Sequence, residues 1–232
     1  MINEYTSAWF EVFAKSIDEA GTKAEVDGFT QWLPLPEYRR ILDVCCGLGR
    51  HAVQLTRLGY DVVGVDRDGD VIETAARQVP EARFMQADQR TLEGVSGPFD
   101  AVLVLWQSFG YFDRDENDAV LGRLATVLRP GGRLLLDVYH PGFWRDHQGV
   151  REEPRAGVTS ITDTVDGDRL SSRIEYTDGA VEMMDFELIE PEDLASRAGT
   201  FGLTTVDQSC WWDPRRPPEA TEARYQSIFQ QT

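Results

Sequence analysis

Basic residues are scarce in this chain: 23 Lys and Arg stand against 40 Asp and Glu, a formal net charge of −17. Nucleic-acid binding rests on cations that neutralise phosphates. The adjacent pairs Arg39-Arg40 and Arg215-Arg216 are isolated and form no basic cluster, which argues against DNA or RNA as partner. Cysteine is nearly absent too. Cys45, Cys46 and Cys210 have no framework spacing; this excludes a disulfide scaffold and fits reduced thiols in a cytoplasmic setting. No apolar run approaches the ~20 residues that span a membrane. The opening stretch MINEYTSAWFEVFAKSID lacks the basic and apolar regions of a signal peptide. With three histidines, unclustered, and no C-x-x-C, no zinc or other metal site is read.

What is present is an alternation of strands and helices. Trp9, Phe10, Phe13 and Ile17 share one face at helical spacing over residues 6–20. A second helix is expected over 22–33, ended by Pro34 and Pro36. Strands are then expected at 41–45, 61–66, 82–86, 99–105 and 133–139, with helices at 50–58, 68–78 and 115–128 between them. The strands are almost continuously apolar, as in a parallel sheet covered on both faces. After Pro141 the texture changes. Short strand-like runs over 158–189 break at Asp166-Gly167 and Asp178-Gly179, a hairpin signal. A helix at 191–201 and strands at 203–211 and 225–230 complete an α/β domain with an inserted antiparallel meander.

The stretch LDVCCGLGRHA, residues 42–52, follows the first strand and opens a helix. Glycines at such a place let the backbone turn and approach a ligand at a helix N-terminus. Gly47-x-Gly49-x-x-Ala52 fits a dinucleotide fingerprint. Asp66 closes the next strand 19 positions after Gly47, where an acid accepts hydrogen bonds from a ribose diol. Either a dinucleotide or a smaller adenosyl cofactor would use both features. Asp43, two residues before Cys45, suits a cationic ammonium better than a diphosphate. Asp88, after the third strand, suits an adenine amino group.

The stretches ILDVCCGLGRHAVQL, YDVVGVDRD, FMQADQRTL, FDAVLVLWQSFGYF and LRPGGRLLLDVYHPGFW, in this order over residues 41 to about 145, resemble the class I S-adenosylmethionine-dependent methyltransferases. The SFGYF segment resembles a subgroup acting on small molecules, many of them in natural-product pathways. The resemblance implies a Rossmann-like seven-stranded sheet of order 3-2-1-4-5-7-6 with strand 7 antiparallel, and S-adenosylmethionine as cofactor. It places Gly47 and Gly49 near the methionine part, Asp66 at the ribose, Asp88 and the Gln89 backbone at the adenine, and Trp106 near the adenosyl–methionine junction. Asp43, Cys45, His51, Arg67 and Leu105 complete the implied cofactor set. His51 fixes either the loop or the cofactor carboxylate.

Methyl transfer to N or O of a small molecule is then the expected reaction. It asks mainly for positioning and exclusion of water. His140 is the candidate base, or a loop histidine with structural hydrogen bonds. Tyr111 is a second candidate for the acceptor pocket. Tyr5, Trp9 and Trp144 are expected to face the acceptor, and Arg145 either pairs a substrate carboxylate or is solvated. Residues 1–36 are read as a helical lid, 41–139 as the cofactor core, 140–189 as a β cap and 190–232 as the closing elements. Residues 1–20 and 140–189 would together roof the acceptor. The tetrapeptide of amino-methylating DNA enzymes and the Asp of metal-dependent catechol-type enzymes are both missing after strand four. Two rival readings remain: an NAD-dependent oxidoreductase, and a methyltransferase fold reused without methylation. The sequence leaves monomer and homodimer open.

Overall fold

The computed structural model describes residues 9, 12, 13, 17–152 and 157–232. Helix α1 (Glu19–Thr30) starts where Asp18 accepts the Gly21 N–H at 2.6 Å, satisfying a donor that the first turn leaves free. Six elements follow, strand and helix in turn until β3 leads directly to β4: β1 (Arg40–Val44), α2 (Arg50–Arg57), β2 (Asp61–Asp66), α3 (Gly69–Gln78), β3 (Arg83–Gln86) and β4 (Phe99–Val104). They are followed by α4 (Arg114–Thr126) and the long β5 (Leu128–Tyr139). Asp68 and Asp113 cap α3 and α4 in the manner of Asp18. The chain continues through α5 (Pro141–Asp146), β6 (Gly149–Glu152), β7 (Val158–Asp166), β8 (Arg169–Tyr176) and β9 (Val181–Glu187). It closes with α6 (Pro191–Gly199), β10 (Leu203–Ser209) and β11 (Arg224–Gln231).

The main sheet runs β3-β2-β1-β4-β5-β11-β10. Its first five strands are parallel, and β11 lies antiparallel between β5 and β10. This is the expected order, with β10 and β11 in the places of strands 6 and 7. Alternating side chains feed two apolar layers. Leu42, Val102 and Leu134 pack with Leu121 of α4 and Leu194 of α6, whereas Ile41, Leu103 and Leu135 pack with Phe29 of α1 and Leu55 of α2. These side chains are fully buried, each worth about 2–3 kcal/mol.

The second sheet, β6-β7-β8-β9, is the meander. Its turns fall at Gly167 and Gly179, which take φ of 61° and 88°. A buried polar junction ties it to the main sheet. Glu187, at the end of β9, accepts from Arg197 of α6 at 2.8 Å and from Asn117 of α4 at 2.7 Å. Its N–H donates to Gly110 O at 2.7 Å. Gly110 has φ of 101°, and a Cβ there would stand 3.1 Å from Glu187 O, so the SFGYF segment needs this glycine to reach the meander.

Four expectations change. Helix α1 starts at Glu19 rather than 22, because Asp18 caps it. Helix α4 stops at Thr126, and β5 runs through Pro130-Gly131-Gly132, because Leu128 already pairs with Phe99 across a bulge. Helix α5 and strand β6 occupy what reads as loop. The expected helix over 6–20 lies largely outside the described residues. Of it, Trp9 stacks on Phe13 at 5.5 Å, and both pack with Val12 on the apolar face of the meander.

Candidate active site

A cavity of about 560 Å³ opens at the carboxyl ends of β1, β2 and β4, the edge where open α/β sheets bind ligands. Asp43, Cys45, Gly47, His51, Asp66, Arg67, Asp88, Gln89, Leu105 and Trp106 line it, together with Trp9 and Tyr111. Gly49 does not. It stands behind the loop as the N-cap of α2, with φ of 77° and its Cα against Phe84, where a Cβ would approach the ring to 2.9 Å. It lets α2 begin, next to Leu48 and Arg50, which do line the cavity.

Asp43 and Arg50 form one end of the cavity. Asp43 is buried in β1 and one of its carboxylate oxygens has no partner among the described residues. Burial pushes its pKa up to about 7, with the Asp66 charge adding and the Arg50 charge opposing. Arg50 donates through Nη1 to Glu25 at 2.6 Å and Thr22 at 3.2 Å, while its Nη2 is buried and unpartnered. At the other end Gln89 donates its Nε2 to Ser108 O at 3.1 Å, leaving Oε1 buried without a donor. Buried polar atoms without partners are rare and expensive, on the order of 1–3 kcal/mol each. Three of the eight among the described residues belong to side chains that line this one cavity, and they comprise two acceptors and a donor.

Asp66 lies between the two ends. It accepts the Gly47 N–H at 3.0 Å and the Asp68 N–H at 3.1 Å, and burial raises its pKa. Asp88 is already occupied: Arg90 holds its carboxylate at 2.6 Å and lowers its pKa. At this end the Gln89 side chain therefore offers an unpartnered acceptor beside the paired Asp88 carboxylate.

The turn after β4 is strained. Trp106 and Gln107 take φ of 54° and 57°, a left-handed conformation that costs a non-glycine residue about 1 kcal/mol or more. Asp137, buried in β5, accepts from Trp106 N at 3.2 Å and from Gln107 Nε2 at 3.3 Å. The guanidinium groups of Arg50 and Arg224 both lie over the Trp106 ring, at 4.5 and 5.2 Å from its centroid. Its Nε1 donates to Glu25 of α1 at 2.6 Å.

Glu25 also meets His51 at 3.2 Å and Arg224 at 3.2 Å; burial pushes its pKa up, but the hydrogen bond with His51 and the Arg50 guanidinium hold it well below the usual carboxylate range. Burial and the Arg50 charge lower His51 to about 4, so at neutral pH it is uncharged and donates to Glu25. Sequence reasoning missed Glu25, Arg50 and Arg224. A glutamate beside the apolar face of α1 was the available signal for the first; Arg224 follows an uninformative loop.

The acceptor-side expectations divide. Trp9 and Tyr111 reach the cavity, and Tyr111 packs on Phe186 of the meander at 5.3 Å. His140 does not line it. Its Nδ1 accepts the Gly142 N–H at 3.1 Å as the N-cap of α5, and its ring packs on Tyr225, which is the structural alternative. Arg145 pairs with Glu190 at 2.6 Å on the surface. Trp144 donates to Ala223 O at 3.0 Å and packs on Tyr139, under the meander and outside the cavity wall. All three are drawn away by α5, which the sequence did not announce. Tyr5 lies outside the described residues. No three His, Cys, Asp or Glu side chains group as a metal site among the described residues, and no described helix is long and apolar enough to cross a membrane.

Residues 41–132 match the methyltransferase domain family. The chain is 34% identical over 137 residues to the putative methyltransferase YqeM of Bacillus subtilis, covering 56% of this chain and 55% of that protein. It is 28% identical over 188 residues to a glycine/sarcosine N-methyltransferase of Halorhodospira halochloris, covering 76% and 70%. The chain thus spans about half the length of the first of these relatives and 70% of the second. Its fold matches the sugar N-methyltransferase KedS8 of Streptoalloteichus with a TM-score of 0.70 at 23% identity, covering 94% of this chain and 90% of that one.

Proposed function

We propose that this chain, a class I S-adenosylmethionine-dependent methyltransferase by its domain match and its relatives, methylates the nitrogen of a small-molecule amine. The observation that carries the cofactor is the trio of unpartnered buried atoms. Asp43 Oδ2 answers an ammonium, Arg50 Nη2 a carboxylate, and Gln89 Oε1 an amino group on adenine. These are the groups at the two ends of S-adenosylmethionine, and Asp66 lies between them for the ribose diol. A dinucleotide would bring a diphosphate beside Asp43 and Asp66, where charge repulsion opposes it.

When bound, the cofactor supplies an activated methyl group on a sulfonium. The residues of the chain hold the two reactants and keep water out. Trp106, fixed by Glu25 and Asp137, forms a rigid wall. Trp9 and Tyr111 bring the meander side to the cavity.

Nitrogen is favoured over oxygen because an amine with a free lone pair needs no base, whereas an alcohol must lose its proton. None of the three histidines is placed to take one. His51 is held by Glu25, His140 caps α5, and His147 stacks on Phe143 at 3.9 Å on the surface. The two similar proteins named for their acceptors are both N-methyltransferases. The test is incubation with methyl-labelled S-adenosylmethionine and a panel of glycine, sarcosine and amino sugars beside matched alcohols. Label on an amine is expected. Label on alcohols alone would end the nitrogen assignment.

A further inference from the structure

Helix α4 gives the first position of its apolar stripe to an amide, and no step above uses it. Asn117, Val120, Leu121 and Leu124 follow one another at helical spacing and are all buried. The three aliphatic side chains pack into the layer that covers β1, β4 and β5. An aliphatic residue at 117 would complete that stripe, and a buried amide is costly unless its polar atoms are bonded. Asn117 is fully buried, and both of its polar atoms are bonded.

Its partners lie on the segment that walls the cavity. Residues 105–112, between β4 and α4, are neither helix nor strand. Leu105, Trp106, Ser108, Tyr111 and Phe112 of this segment line the cavity. Asn117 Oδ1 accepts the Phe112 N–H at 3.2 Å, and its Nδ2 donates to Phe112 O at 2.9 Å. The side chain thus exchanges two bonds with one residue, as the backbone of a neighbouring antiparallel strand would. The same Nδ2 donates to Glu187 Oε2 at 2.7 Å, and the Glu187 N–H reaches Gly110 O. Tyr111 is therefore tied on both sides, at Gly110 by Glu187 and at Phe112 by Asn117. Phe186, the residue before Glu187, packs on the Tyr111 ring at 5.3 Å.

We propose that Asn117 is a positioning residue for methyl transfer: its amide locks the Tyr111–Phe112 wall to the end of β9 and so sets where the acceptor stands against the cofactor. The inference rests on the reading of this wall as the acceptor's side of the cavity. Asn117 itself does not line the cavity and acts only through Tyr111 and Phe112. Methyl transfer depends on the placement of two reactants, and a displacement of about 1 Å costs on the order of a hundredfold in rate. Without the amide the Phe112 N–H loses its partner. Arg169 of β8 still holds Phe112 O at 2.6 Å, and Glu187 still holds Gly110. The segment therefore stays docked while its aromatic wall gains freedom.

The test reads the wall directly, so it does not depend on knowing the acceptor. The protein is labelled with 3-fluorotyrosine, and the Tyr111 fluorine resonance is assigned by its loss in Tyr111→Phe. In the wild-type protein this resonance is expected to move on addition of S-adenosylhomocysteine, because the residue lines the cofactor cavity. In Asn117→Ala it should be shifted and broadened before any ligand is added. The resonances of Tyr38 and Tyr60, in the other apolar layer, should stay in place, which certifies the fold. Turnover of whichever amine takes label should fall by up to about a hundredfold, while affinity for S-adenosylhomocysteine stays within roughly threefold. Asn117→Asp keeps the oxygen that accepts the Phe112 N–H and should fall between the two. Leu124→Ala, two turns along the same helix, should destabilise the protein yet keep the Tyr111 resonance. A wild-type Tyr111 resonance in folded Asn117→Ala would overturn the proposal, as would a shifted resonance with turnover unchanged or an equal shift in Leu124→Ala. Loss of the fold in both Asn117 variants would overturn it in favour of a purely structural role. Absence of label on every amine would end the amine reading, and the Tyr111 resonance would still decide this one.

Discussion

The indole Nε1 of Trp106 donates to a carboxylate oxygen of Glu25 at 2.6 Å, across 81 positions of sequence. This bond joins the first described helix to the strained turn after β4. The same carboxylate holds Arg50, His51 and Arg224, so the cavity wall depends on α1 being docked. Glu25→Gln removes the charge that three basic side chains share. A partly buried ion-pair hub broken on one side is expected to cost about 2–4 kcal/mol. Cofactor affinity should fall by more than the affinity of a variant destabilised equally elsewhere, because Trp106 and Arg50 both loosen. Tryptophan fluorescence and calorimetry with S-adenosylhomocysteine check this. An unchanged dissociation constant would show that the helix is only a support.

Asp43 couples stability and binding with opposite signs. Its folded-state pKa is raised from 3.8 to about 7. The folded state therefore binds the proton more tightly, and the stability this group contributes is present below pH 3.8 and lost as pH rises to 7. Asp43→Asn should stabilise the ligand-free protein at pH 8, by roughly 1–3 kcal/mol after relaxation. It should weaken the cofactor at the same time, since the ammonium loses its counter-charge. In the wild-type protein, affinity should drop below pH 7, approaching tenfold per unit. Thermal melts and titrations from pH 6 to 8 read both effects. A variant that loses stability would contradict the buried charge.

His51 has the reverse dependence. Its pKa falls from 6.5 to about 4 in the folded protein, so the unfolded chain takes up the proton first on acidification. Stability from this group is complete above pH 6.5 and is lost between 6.5 and 4, by up to about 3 kcal/mol. Asp43 titrates in part of the same window with the opposite slope. The informative quantity is therefore the difference between wild type and His51→Asn: the variant should lose less stability between pH 7.5 and 5. Parallel curves would mean that His51 is not held neutral.

Asp66→Ala should weaken cofactor binding about ten- to a hundredfold, the worth of hydrogen bonds to a charged acceptor. Part of that loss comes from the loop, because Asp66 also accepts the Gly47 N–H. Asp66→Asn retains an acceptor and is expected to fall between the two. Wild-type affinity in the alanine variant, with the fold intact, would remove Asp66 from the site.

The sheet was legible because its signals are local. Apolar runs such as those of β2 and β4, and the Asp-Gly turns of the meander, carry strand and hairpin in their own residues. The acids Asp43, Asp66 and Asp88 were legible for the same reason, since each lies within two residues of the carboxyl end of its strand. The acceptor side was not. His140 precedes Pro141 and so begins a helix, and capping that helix takes its ring out of the cavity. Glu25, Arg50 and Arg224 matter only through contacts between elements far apart in sequence, where periodicity carries no information. Asp88 shows a smaller version of this: the position was readable, but its capture by Arg90 two residues on was not.

The measurement that bears most directly on the account is a calorimetric titration of the wild-type protein with S-adenosylhomocysteine and, separately, with NAD. The three unpartnered atoms on Asp43, Arg50 and Gln89 belong to one cavity. Saturable binding of S-adenosylhomocysteine is therefore predicted, weakened in Asp43→Asn, with no heat from NAD. Binding of NAD with no response to S-adenosylhomocysteine would contradict it.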